Sequence, residues 1–119
     1  MKYLCLVYLE EKKIAALPQS DADAVTDDEC LAYGDTIRER GCYLAGEALQ
    51  PIQTATTVRV RNGKVSITDG PFAETKEQLA GFYLIEAKDL NDAIQVASKI
   101  PPARLGSIEV RPTRELNQQ

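Results

Sequence analysis

Asn62-Gly63 stands between two stretches that alternate strictly, Thr56-Thr-Val-Arg-Val-Arg61 and Lys64-Val-Ser-Ile-Thr68. Alternation at period two is strand patterning. Asn-Gly between two such runs predicts a type I′ hairpin turn, because both central residues must take positive φ. A two-residue turn at this place leaves one register: Arg61 opposite Lys64, Val60 opposite Val65, Val58 opposite Ile67. Apolar meets apolar at each inward step, so turn and pattern agree. The same count sets Thr56 opposite Asp69 and puts Asp69 on the face of Val65 and Ile67. Asp69-Gly70-Pro71-Phe72 then breaks the strand and leaves a carboxylate at the end of an apolar face.

The flanks are shorter signals. Tyr3–Leu9 is an apolar run of strand formers, apolar on both faces, as in a central strand covered on two sides. Residues 10–24 read as a loop. Thr26-Asp-Asp-Glu29 has the spacing of a capping box and opens a helix that Arg38, Arg40 and Gly41 close. Cys30, Tyr33-Gly34 and Ile37 recur along it at helical spacing. Residues 42–45 are a short strand candidate, with breaks at Gly46-Glu47 and Gln50-Pro51. Thr75-Lys-Glu-Gln78 has capping-box spacing again and predicts one helical turn before Gly81. Phe82–Ala87 is a second strand apolar on both faces. Asp89 caps a helix with a stripe of Leu90, Ala93-Ile94 and Ala97, which Pro101-Pro102 ends. Ser107–Arg111 closes the order as a strand, with Glu109 and Arg111 on one face.

The order is β, α, a group of strands with a hairpin, β, α, β. Two helices cannot cover both faces of five or six strands. The reading is therefore an α+β, ferredoxin-like βαββαβ sheet with an extra hairpin and both helices on one face. The other face is apolar along two strands and needs a cover. A second copy of the sheet is the simplest one, which predicts a homodimer with a cleft at the edge of each half.

A chain of 119 residues with 44% hydrophobic and 27% charged residues fits a single domain over 1–119. Its net charge of −4 disfavours nucleic acid as a partner. The seven-residue apolar run at Tyr3–Leu9 is too short to span a membrane, and the expected location is cytoplasmic. Three cysteines without CxxC spacing predict free, largely buried thiols. There is no histidine, which removes His-based catalysis and His metal ligands. No metal set or phosphate loop is visible, so no cofactor is expected.

Several segments together resemble the DGPF-type branch of the YCII-related domain family. They are Met1-Lys-Tyr-Leu, Gly46-Glu-Ala-Leu-Gln-Pro51, Thr54–Arg61, Asp69-Gly-Pro-Phe-Ala-Glu-Thr-Lys-Glu-Gln-Leu79 with Gly81-Phe-Tyr-Leu-Ile85, and Glu109-Val-Arg-Pro112. The resemblance implies a dimeric α/β barrel, similar in fold to muconolactone isomerase and small antibiotic-biosynthesis monooxygenases. It implies no established activity. Genes of some members lie beside extracytoplasmic-function sigma factors, which points to a regulatory setting. YCII-related proteins proper are suspected of using a His–Asp pair. Without histidine, Asp69 is at most the acidic half of something else.

The candidate residues each carry two readings. Asp69 either accepts backbone N–H groups around Gly70 and Phe72 in an Asx-type turn or serves as an acid–base or ligand-orienting carboxylate at a cleft mouth. Phe72 is a packing anchor for that loop or a ligand contact. Glu47 and Lys76 are further proton-transfer candidates; otherwise they are solvated charges, as are Glu74 and Glu77. Tyr83 packs in the core or offers a hydroxyl to a ligand. Arg104 clamps an anion or pairs with a carboxylate. Two functions follow: a small-molecule binder or isomerase using carboxylates in a cleft, or a non-enzymatic regulatory protein with a protein partner.

Overall fold

The computed structural model describes residues 1–18 and 25–116. The strands are β1 (Lys2–Leu9), β2 (Tyr43–Ala48), β3 (Thr56–Arg61), β4 (Lys64–Asp69), β5 (Gln78–Glu86) and β6 (Ser107–Pro112). The helices are α1 (Glu11–Ala16), α2 (Asp27–Glu39) and α3 (Leu90–Ser98), with 3-10 turns at Ile52–Thr54 and Pro101–Arg104. Four strands form one sheet in the order β2-β5-β1-β6, every neighbour antiparallel. That is the ferredoxin-like arrangement, and β3–β4 stand apart from it as a two-stranded sheet.

The hairpin forms in the expected register at every pair, from Arg61↔Lys64 to Thr56↔Asp69. Asn62 and Gly63 take φ of 53° and 76°, as a type I′ turn requires. The Thr26 hydroxyl caps α2 by accepting the Glu29 N–H at 3.2 Å, and Gly41 (φ 77°) ends it. The Asp89 carboxylate accepts the Asp92 N–H at 2.9 Å and caps α3.

Both long helices lie on one face of the sheet, α2 toward β2 and α3 toward β6. Between helices and sheet sits the core: Tyr3, Cys5 and Val7 of β1, Ile85 of β5, Ile37 of α2, and Ala93, Val96, Ala97 and Ile100. The α3 stripe is rotated from the expected one. Leu90 and Ile94 are half exposed, and small alanines take the buried positions against the sheet. On the opposite sheet face Leu4, Leu6, Phe82 and Leu84 are only half-buried, since among the described residues no element lies over them.

Three local expectations are corrected. The segment after β1 is not all loop: Glu11–Ala16 is helical, because Gln78 Oε1 accepts the Glu11 N–H at 2.9 Å and supplies a cap from a distant strand. Residues 19–24 of that expected loop lie outside the described residues. Gly46-Glu47 does not end β2, which runs on through a bulge to Ala48 along β5. Thr75–Gln78 forms no helical turn. Gln78 instead opens β5 opposite Leu9, and its side-chain amide donates to the Thr75 carbonyl at 2.8 Å. Ladder pairing along β1 outweighs one capping box with no helix to follow it.

The molecule is flat, 48 × 46 × 19 Å, with a radius of gyration of 16.4 Å. A compact domain of this length has about 13.5 Å. The excess comes from the hairpin, which among the described residues packs substantially on no other strand or helix. Among the described residues no helix is long and apolar enough to cross a membrane.

Candidate functional site

A cavity of about 550 Å³ opens between α2 and the β2–β5 half of the sheet. It exists because bulk is missing where helix meets sheet. Gly34 sits mid-helix, and a Cβ placed on it would meet nothing within 4 Å. Gly46 of β2 and Gly81 of β5 line the cavity from the sheet side. The remaining wall is mostly apolar, with Val7, Leu9 and Ile14 at one end, and a few polar groups converge on it.

Tyr43 and Tyr83 line the polar side, and Tyr33 packs against Tyr83. The Tyr83 ring lies edge-on to Tyr33 at 6.3 Å and to Tyr43 at 6.4 Å. The Arg38 guanidinium stands 4.4 Å from the Tyr43 ring centre and pairs with Asp35 at 2.8 Å. The Tyr33 hydroxyl donates to the Val96 carbonyl at 2.6 Å, and that of Tyr43 to the Gly46 carbonyl at 3.4 Å. Among the described residues none hydrogen-bonds the Tyr83 hydroxyl.

Burial pushes Tyr83 up to about 12, with Cys30, Tyr43 and Tyr33 adding to the effect. Burial raises the Cys30 thiol too, helped by the Asp27 and Glu29 carboxylates and opposed by Arg104. At neutral pH the cavity therefore presents a phenol and a thiol, both protonated. Asp27, Asp35 and Glu47 outnumber Arg38 along the wall. The surroundings disfavour an anionic ligand.

The same shifts predict alkaline unfolding. Burial lifts Cys5 from 9.0 to about 11 and Tyr33 and Tyr83 from 10.0 to about 12. The folded state favours the protonated forms. Their contribution is whole below the unfolded-state values and is lost as pH rises from 9 through 12. Melting temperature by circular dichroism should fall steeply across that window; a flat profile there contradicts the assignment.

The structure brings two of the expected site residues, Glu47 and Tyr83, to this cavity. They do not share a sheet face. Tyr83 pairs with Cys5 on the helix side, whereas Glu47 pairs with Phe82, a row that alternation assigns to the other side. Arg104 binds the Glu29 carboxylate through both Nη atoms, at 2.9 and 3.3 Å, which matches its ion-pair reading. Asp69, Phe72 and Lys76 are exposed and do not line the cavity. The Asx-type turn through Gly70 is not made, because the Gly70 N–H donates to the Ala55 carbonyl at 2.7 Å. Phe72, 79% exposed, anchors no loop among the described residues. Gly34, Cys30, Arg38, Tyr43 and the carboxylates Asp27 and Asp35 are among the wall residues that sequence reasoning did not single out as a site. The available signal was Cys30 and Gly34 at i, i+4, two small residues on a helix face that otherwise carries core bulk.

The family model of the YCII-related domain matches residues 1–117. An uncharacterized protein of Rhizobium meliloti (strain 1021) is 37% identical over 114 residues, covering 94% of this chain and 91% of that protein. Taken with the ferredoxin-like sheet, these matches establish that the chain belongs to the YCII-related domain family.

Proposed function

We propose that the chain is a homodimeric binder of a small neutral or cationic molecule with an apolar body, held in the cavity between α2 and the sheet. The observation that carries this reading is Gly34. A glycine inside a helix costs roughly 1 kcal/mol relative to alanine, and here it leaves open a space that none of the described residues fills. The size and the mostly apolar wall with few convergent donors are those of a ligand pocket. Tyr83 offers its free hydroxyl to a carbonyl or hydroxyl oxygen of the ligand. Where chemistry accompanies binding, it is cofactor-free proton transfer. A carboxylate such as Asp27 accepts the proton, and the Tyr83 phenol stabilises the negative oxygen that develops. The homodimer reading is supported by the apolar face of Leu4, Leu6, Phe82 and Leu84, which the described residues leave uncovered.

Gly34→Leu tests the site. The substitution fills the cavity while improving helix propensity by roughly 0.5–1 kcal/mol. The expected result is an unchanged or higher melting temperature, together with loss of the thermal stabilisation that neutral and cationic metabolites in a screening panel give the wild type. If both proteins respond alike, ligands do not enter here.

A further inference from the structure

We infer that the β3–β4 hairpin is a dimerisation arm, whose valine face packs on a second copy of this chain. Val58, Val60, Val65 and Ile67 stand on one face of the hairpin and are each 57–68% exposed. A lone two-stranded sheet is marginal in water, yet this one keeps a full ladder of six pairs. Its opposite face carries Arg59, Arg61 and Lys64, charges that discourage edge-to-edge strand addition. Contact is thereby directed to the apolar face.

A second copy is favoured as the occupant on two grounds. The first is area. Four strands of about six residues give the open sheet a footprint of roughly 400 Å², half of the ~800 Å² per partner of a stable complex. The hairpin adds roughly 200 Å² of flat footprint, before side-chain relief. The second is charge. Residues 56–69 hold three basic side chains and one acidic, a net +2 in a chain of net −4, which leaves −6 on the remainder. The basic side chains stand on the outer face, so the attraction between a basic arm and an acidic body steers the approach of a second copy rather than adding contacts in the interface, and a two-fold axis uses it twice.

The inference rests on the homodimer reading above, and sedimentation velocity on the full chain separates the two. Val60→Glu with Ile67→Glu should weaken the dimer at least tenfold while leaving the melting temperature of the body unchanged. Ser66→Glu, on the outer face opposite Arg59, should leave the affinity as it is. The arm is overturned if the double variant dimerises like the wild type while Leu4→Glu on the sheet face dissociates, or if Ser66→Glu weakens the dimer equally. A monomeric wild type overturns the dimer reading itself.

Discussion

Ile85→Ala is expected to lower the unfolding free energy by about 4 kcal/mol. Ile85 is completely inaccessible and sits on β5, where it pairs with Tyr3 of β1 and Tyr43 of β2. Ile37 and Ile100 close the core from the helix side. Removing the branched side chain forfeits its transfer free energy and leaves a void, because three paired strands cannot collapse into it. Against a total of roughly 5–15 kcal/mol this is a large share, worth roughly 15 °C in melting temperature. Urea unfolding measures it. A loss under about 1 kcal/mol means that the core relaxes around the site and is less close-packed than the geometry implies.

Leu4→Glu is expected to leave the subunit folded and to separate the proposed homodimer. Leu4 lies on the uncovered face between Leu84 and Arg111. In the lone subunit the new carboxylate faces water and gains a cross-strand arginine. In a dimer of open faces it is desolvated, and two-fold symmetry places it there twice. The expected weakening is at least a hundredfold, about 2.7 kcal/mol. Sedimentation that shows the variant as dimeric as the wild type removes this face from the interface.

The fold was legible in the sequence where one signal left one answer. The Asn-Gly turn with matched valines fixed six strand pairs, and the hydroxyl and carboxylate caps at Thr26 and Asp89 fixed two helix starts. Legibility failed where a distant partner decided. Gln78 reaches from β5 to start α1, which no local pattern at Glu11 announces. The capping-box spacing at Thr75 was genuine as a pattern and lost to ladder pairing along β1. The site was harder still. Charged and aromatic residues draw attention in a sequence, as Asp69 and Phe72 did, but a cavity is made by what is absent. Gly34 carries no functional group, and its importance shows only once β2 and β5 face it across an unfilled space.

The reach of Gln78 has one more consequence. Its side chain holds the Glu11 amide and the Thr75 carbonyl, while the Glu11 carboxylate accepts the Ile52 N–H at 3.0 Å. Three connecting segments at one end of the molecule are thus knotted through two side chains. Insertions or deletions in any one of them must be matched in the others, so during divergence these lengths should change together or not at all.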